Sequence, residues 1–455
     1  MSYEIANVLE EHEQSKALLV KISETQLLSA LVVLVLELSL LFGKLFLEKI
    51  LQERAEEKTQ WSHCKKCGKK LHSKGKFDRQ MRTVLGEVHW DRRVGRCPNG
   101  CAIGQVVPFD EILGISPHQK SSRELMEFGC LLSIFVPYGI ASQLLFHLWG
   151  ISIDPQSIWN WAQFFGQKAM EQLESQLADF HAGKSICPET MADSIATLRT
   201  LMGSDGVLVP FRPNGGKPHG KAVFHEIKIG VITRTKEKIT KTGKQVRSLV
   251  QRRVVAVLGN SEQLAQRLQM EAHLQRIQDS QQVVWLSDGG KWLWKIVKTY
   301  FPTIVPVLDF YHAAQNLYKA AKGYLDGRTQ ACKIWFERTR HQLRHGEEAE
   351  LINEIKETID KQKPTQDVAA LEAFIEYIGN HENHIQYQDL KNSGIPIGSG
   401  FIESACKWLI QQRFKGTGMR WSKEGFNHLL HLRLLWVNGR WNSFFQTPFQ
   451  ASPSC

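Results

Sequence analysis

Apolar positions divide the chain into an apolar start, a short alternating module, a helical stretch and a section where strands and helices take turns. Residues 1–56 lack proline, and apolar residues dominate as far as the charged end Glu53-Arg-Ala-Glu-Glu-Lys58. Length favours helix there over strand, despite the β-branched Val32, Val33 and Val35. The apolar positions are too dense for a one-sided stripe, so this helix is expected to hide most of its surface, against a core or a second copy. Its apolar run, Leu27–Phe42, carries Glu37 and is shorter than a membrane-spanning helix needs. No membrane partner is expected.

Residues 57–117 change period. Arg82–Leu85 and Glu87–Asp91 alternate around Gly86, which signals a hairpin. Residues 118–182 return to helical spacing, with apolar faces over Leu125–Phe135 and Ala141–Trp149. Gly150 breaks the run, and Asp154-Pro155 offers an N-cap and an N1 proline for the next helix. From 199 the pattern predicts a strand over Leu201–Val209 and a hairpin of Ala222–Thr233 with Arg247–Leu258. A helix over Ser261–Ile277, a strand over Val283–Leu286, a helix over Trp292–Tyr300 and a strand over Ile304–Leu308 follow. A hairpin followed by strand–helix units makes a mixed α/β sheet. Residues 315–395 read as all helix, and a last helix opens near Ser399, within the closing region 396–447. The fold class is multidomain α+β, with a mixed-sheet core in two parts (199–314 and 396–447) around a helical insertion.

The chain has 455 residues, a formal net charge of +11 and 42% hydrophobic residues. That length exceeds one ordinary core, and that apolar share excludes disorder as the overall state. The basic excess points to a polyanionic partner, most often nucleic acid. Four of nine cysteines form two close pairs, Cys64/Cys67 and Cys97/Cys101, on either side of the expected hairpin. Two such pairs suit one tetrahedral Zn²⁺, and the scattered remainder suits a reducing cytoplasm. Lys65, Lys66, Arg92 and Arg93 crowd this module.

Three acids stand where strands end or a helix begins: Asp205, Asp288 and Glu403. Carboxylates delivered this way to one spot suit two Mg²⁺ (or Mn²⁺) ions, which can clamp the attacking and leaving oxygens of a phosphodiester. Their spacings are 83 and 115 residues. A ribonuclease-H-type core carries acids on its first strand, after its fourth and on a later helix. These spacings fit it only with a domain inserted before the last helix, and 315–395 supplies one. Asp288 and Asp309 both follow buried strands, so either could be the second ligand. His312 is expected nearby. Residues 138–165 form a helix-turn-helix candidate whose Gln156 and Asn160 could bond base edges, with an ordinary helical hairpin as the alternative. Lys241 and Lys244 at the hairpin tip, and Lys407, Arg413, Lys415 and Arg420 around Glu403, are the remaining candidates for DNA phosphates.

Ser287-Asp288-Gly-Gly-Lys-Trp-Leu-Trp, Phe301-Pro302 and Leu308-Asp309-Phe-Tyr-His312-Ala-Ala-Gln-Asn316-Leu resemble the bacterial Mutator-like DDE transposases. There an Asp-Gly motif precedes a Cys/Asp-x₂-His motif. Ile397-Gly-Ser-Gly-Phe-Ile-Glu403-Ser-Ala-Cys-Lys407, through Gly416-Thr-Gly-Met-Arg-Trp421, resembles the third acidic block of the ISKra-type insertion-sequence transposases. The cysteine knuckle also matches that type, and the resemblance spans about residues 60–440. It implies a ribonuclease-H-like core that cleaves element ends and joins them to target DNA through Asp205, Asp288 and Glu403. It favours Asp288 as second ligand and puts Asp309 and His312 near the site. A homodimer or higher oligomer, acting on terminal repeats and target DNA in a bacterial cytoplasm, is the matching expectation. Two alternatives stay open: a zinc-containing DNA-binding regulator with structural acids, and a nuclease on the same fold that does not join strands.

Overall fold

The computed structural model describes residues 12–213, 220–243, 245–361 and 368–446. The chain divides into two compact units, Met1–Lys168 with Asn442–Cys455, and Ala169–Trp441.

In the first unit, helices α1 (Glu13–Glu24) and α2 (Leu28–Glu56) precede a two-stranded antiparallel hairpin, β1 (His72–Thr83) and β2 (Gly86–Arg96). The strands extend well past the alternating stretches because charged positions such as Lys76, Arg79 and Arg93 also pair across the ladder. The C-terminal half of α2 packs Leu51 and Ala55 against Met81, Val88 and Trp90. Glu48 Oε1 accepts the backbone N–H of His89 (2.9 Å), and Gln52 Oε1 accepts that of Asp91 (2.8 Å). The helix thus satisfies donors that an edge strand would leave open.

The N-terminal half of α2 differs from the expectation of a hidden helix: Leu28, Val32, Val33, Val35 and Leu36 are all at least half exposed. Among the described residues, α2 is the one helix long and apolar enough to cross a membrane. It runs for 29 residues, well beyond the run Leu27–Phe42. An 18-residue apolar window of it has no buried residue, so the apolar stretch is longer than the sequence reading allowed.

Helices α3 (Pro108–Ile112), α4 (Arg123–Ser133), α5 (Tyr138–Trp149) and α6 (Pro155–His181) follow. The α5 helix ends on Gly150 at φ 68°, a left-handed cap that glycine adopts without a Cβ clash. The α6 helix runs for 27 residues. The expected reading helix, 155–165, is therefore only the first part of a much longer helix.

The second unit holds a five-stranded mixed sheet of β3 (Thr200–Phe211), β4 (Val223–Ile239), β5 (Gln245–Val257), β6 (Val283–Ser287) and β7 (Val305–Leu308). The order across the sheet is β5-β4-β3-β6-β7. The first three strands pair antiparallel, while β6 runs parallel to β3 and β7 parallel to β6. One face buries Met202, Ile232 and Trp285 against α7 (Ser261–Leu274) and α8 (Lys291–Tyr300) through Leu264, Leu268 and Ile296. A capping box starts α7: Asn260 Oδ1 accepts Gln263 N–H, and Gln263 Oε1 accepts Asn260 N–H.

Between β7 and the last helices lie α9 (Phe310–Tyr324), α10 (Gln330–Arg344), α11 (Glu348–Asp360), α12 (Ala369–Gly379) and α13 (Tyr387–Asn392). They share one core of Leu317, Leu343, Leu351, Ile355, Leu371 and Phe374. The stretch expected to be all helix is helical, with α9 opening at Phe310. The chain returns through α14 (Gly400–Ala405), a π-helical turn (Cys406–Gln411), a last turn to Phe414, and α15 (Lys423–Val437).

An ion cluster ties the second unit together. Glu189 accepts from Arg253 (Nη2–Oε2, 2.6 Å) and from Arg440, and Arg440 also pairs with the buried Glu271 (2.7 Å). Burial alone would raise the Glu189 carboxyl, but Arg253 and Arg440 outweigh it and hold it at about 2. A carboxyl lowered in the folded state contributes stability above its unfolded value and loses it as pH falls through the folded one. The Glu189 contribution should therefore be present above about pH 4.5 and disappear between about pH 4.5 and about pH 2. Thermal unfolding across that window should show a weaker acid dependence for Glu189→Gln than for the parent. Parallel curves would remove this role.

Candidate functional site

The sheet carries three acids on or directly after β3, β6 and β7. Thr200 pairs with Val283, Leu201 with Val284 and Met202 with Trp285. Asp288 directly follows β6 and lies near enough to Asp205 for its charge to act on that carboxyl. On the other side Ser287 pairs with Leu308, so Asp309 stands one step on, level with Asp288. Asp205 lies in the middle of β3, opposite Ile229 of β4, and not at the strand's end.

Glycine makes room for the third acid. A Cβ on Gly203 would lie 2.2 Å from Ile402 Cδ1 and 2.2 Å from the Leu286 carbonyl oxygen. Only glycine lets α14 press this closely onto β3. Gly203 and Asp205 share a face because strand side chains alternate. Asp205 therefore points toward the helix that carries Glu403, and Cys406 Sγ sits 3.6 Å from Asp205 Oδ2. Glu403 and Cys406 are three residues apart across the α14–π-turn junction, on neighbouring positions of one helical face.

The acids differ in how far the protein engages them. Asp205 Oδ1 accepts the Gly206 N–H (2.6 Å), and Asp288 Oδ1 accepts the Gly290 N–H (2.9 Å). Glu403 is exposed and makes no side-chain hydrogen bond among the described residues. Asp309 is only 1% exposed. Its Oδ1 caps α9 by accepting the His312 N–H (2.8 Å), and its Oδ2 accepts the Ser399 N–H. One carboxylate thus fastens both the start and the end of the helical insertion. His312 Nδ1 lies 3.4 Å from Asp309 Oδ1.

The charges couple. Burial raises the Asp205 carboxyl above its ordinary value, and the charge of Asp288 pushes the same way. His312 is raised by its Asp309 partner first, with Asp288 and Glu403 adding to it. Burial holds the Asp309 carboxyl up, but hydrogen bonds from His312 and Ser399 outweigh it and lower the group. Burial, then Asp205, push the Cys406 thiol well above its usual range. Asp205, Asp288, Glu403 and His312 thus share one field. Three like charges repel, and the carboxylates do not close into a tight ligand set.

The cysteines do close. Sγ atoms of Cys64, Cys67, Cys97 and Cys101 all lie within 4.8 Å of one another, the one such group of three or more ligating residues among the described residues. The two pairs sit at the open end of the β1–β2 hairpin, and the turns behind them use Gly68 (φ 69°) and Gly100 (φ 67°). Burial pushes the Cys97 thiol up, but backbone N–H groups of Cys101 and Asn99 and the neighbouring thiols bring it down to about 7. Its sulfur neighbours push Cys101 up to about 12. One thiolate forms readily and its charge resists the next, which is the electrostatic setting that a divalent cation relieves. The four thiols are placed to hold one metal ion such as zinc.

The basic candidates separate by packing. Lys65, Lys66, Lys241, Lys407, Lys415 and Arg420 are exposed. Arg92 is 5% exposed and its Nε pairs with Asp110 at 3.0 and 3.1 Å. Arg93 bonds the carbonyls at the end of α2 and the Glu56 carboxylate. Arg413 is 2% exposed, beneath the Trp421 ring. Arg92 and Arg413 are buried within the fold, while Arg93 is half-buried against the end of α2. Gln156 is exposed and bonds Asn160 (3.2 Å), and Lys244 lies outside the described residues. Gly203 and Cys406 were missed by sequence reasoning. The glycine just before Ser204-Asp205, and a cysteine three residues after Glu403, were the available signals.

No family model matches the chain, and no curated protein does. Among solved structures, the Drosophila P element transposase strand transfer complex is similar over 71% of this chain and 80% of that chain, at 9% identity and a TM-score of 0.25. At that TM-score, functional meaning has to come from the site itself.

Proposed function

We propose that the chain is a DDE-type DNA transposase with a ribonuclease-H-like core, cleaving the ends of an insertion sequence and joining them to target DNA. What carries this reading is the placement of Asp205 on β3 and of Asp288 directly after its parallel neighbour β6, with the Glu403 helix pressed onto β3 at Gly203. A sheet with three antiparallel strands and two further strands parallel to the first supports the core assignment.

Asp205, Asp288 and Glu403 are the residues that would hold two Mg²⁺ or Mn²⁺ ions. Hard carboxylate oxygens fit such ions, and the mutual repulsion that raises Asp205 is what bound cations would remove. When bound, the ions supply charge neutralisation at the attacking and leaving oxygens of the phosphodiester. Gly206 and Gly290 orient the two aspartates by backbone N–H, and Glu403 approaches from the helix. Asp309 and His312 act as positioning residues, since both oxygens of Asp309 are already engaged. In the knuckle, Cys64, Cys67, Cys97 and Cys101 are assigned to one structural Zn²⁺. DNA is the partner, and the open apolar half of α2 is assigned to a second copy of the chain.

The test is cleavage of a labelled duplex carrying the element's own terminal repeat, with strand joining scored in the same reaction. Cleavage with joining is expected in Mg²⁺ and none in its absence. Cleavage without joining would leave a nuclease, and neither product would remove the enzymatic reading. Binding should also weaken steeply with salt. If the six exposed cations named above each meet a phosphate, affinity should fall about 10³-fold between about 50 and 200 mM salt. A flat salt response would remove them from the interface.

A further inference from the structure

The loop that carries Asp288 is held from two sides. Within the sheet unit, the Asp288 carbonyl accepts Trp294 Nε1–H at 3.0 Å, and the Asp288 carboxylate accepts the Gly290 N–H. From the helical insertion, the Tyr377 ring lies directly on Gly289. A Cβ at Gly289 would stand 2.2 Å from Tyr377 Cε2 and 3.0 Å from its Oη. The His381 side chain, 6% exposed, lies close to the Gly289 backbone. His384 stacks on Trp294 with ring centres 4.4 Å apart, and His381 tilts against the same indole at 4.9 Å. Trp294 packs against both the sheet-side core and the core of the insertion. The helical block therefore packs onto the backbone beside Asp288.

We propose that the helical insertion is a positioning element for the acidic site: Tyr377 and His381 fix Gly289, and through it the carboxylate of Asp288. This rests on the reading of Asp288 as a metal ligand. The physical reason is that a loop of Asp-Gly-Gly has little stiffness of its own. Glycine explores more backbone conformations than any other residue, so an unclamped Asp288 would sample many orientations. Packing the Tyr377 ring onto Gly289, with the buried His381 beside it, removes that freedom before any ligand arrives. Outer contacts of this kind typically change metal affinity or activity about 10–100-fold when removed. Tyr377 and His381 are positioning residues, since they touch the loop backbone and not the reacting atoms.

The experiment titrates Mn²⁺ into the full-length protein and reads free Mn²⁺ by electron paramagnetic resonance, alongside amide exchange of the 283–292 peptide. Tyr377→Leu and His381→Asn should each weaken Mn²⁺ binding about 10–100-fold and speed exchange of the loop, while Tyr377→Phe, which keeps the ring, stays at the parental value. Gly289→Ala attacks the same contact from the other side. It should weaken Mn²⁺ binding, with less than additive effect in the Gly289→Ala/Tyr377→Leu double variant. Parental Mn²⁺ affinity and parental exchange in both Tyr377→Leu and His381→Asn would overturn the clamp. If Asp288→Asn weakens Mn²⁺ in that same series, the metal-ligand reading survives the failure. If Asp288→Asn leaves Mn²⁺ affinity unchanged, both that reading and the clamp fall together.

Discussion

Replacing Asp205 or Asp288 by Asn, or Glu403 by Gln, is expected to lower strand cleavage at least about 10²–10³-fold, with binding to terminal-repeat DNA retained. Each change keeps side-chain size and removes one negative oxygen from the shared field. Glu403 is exposed and unengaged, so its loss should be silent in thermal stability. Asp205→Asn should leave stability the same or improve it, because burial and Asp288 already penalise its charge. Asp309→Asn should behave in the opposite way. Its two oxygens accept the His312 and Ser399 N–H groups. Turning one of them into an amide donor should cost stability of about 1–3 kcal/mol through a buried, unsatisfied N–H. The comparison is a cleavage rate and a melting temperature for each of the four variants. An Asp288→Asn protein that cuts at the parental rate, with an Asp309→Asn protein that melts normally but does not cut, would exchange their roles.

Removing the knuckle's metal is the second large effect. Structural zinc in small four-ligand sites contributes about 10–16 kcal/mol of binding free energy that is also folding free energy. A whole domain has a net stability of only about 5–15 kcal/mol. A chelator strong enough to strip the site should therefore unfold the hairpin's open end, where Cys64, Leu71 and Cys97 form a small buried cluster with Trp61 and Val106 against it. Metal analysis should give about one zinc per chain, on the logic of a closed tetrahedral four-thiolate site. Cys97→Ser should lose it. Amide exchange across residues 61–106 should rise on chelation and recover when zinc returns. Because thiolates are the ligands and Cys101 is pushed up to about 12, affinity should fall as pH is lowered across the neutral range, and more steeply below the Cys97 value of about 7. A metal-free protein with full protection in this segment would show that the cysteines hold no structural ion.

Local pattern accounts for much of this fold. Periodicity located every strand of the second unit to within a few residues, apart from the β4–β5 hairpin. There the ladder continues through the charged tip as far as Ile239 paired with Gln245. It also located the helical block after β7, because its helices keep their own apolar faces and share one core. The cysteine pairs could be read directly, since the hairpin that joins them is local. Tertiary packing decided the rest. That both Asp309 oxygens accept backbone N–H groups depends on Ser399, ninety residues beyond Asp309, and no local pattern reports that contact. Which arginines face solvent depended on partners such as Asp110 for Arg92, because a guanidinium is equally able to pair within the protein or with phosphate. The α2 helix shows the same division. Its apolar density specified a helix, but only the hairpin's edge determined that residues near Leu51 are covered while those near Val32 are open. Spacing along the chain determines which residues share a face. Which face meets which neighbour is settled by contacts between segments far apart in sequence.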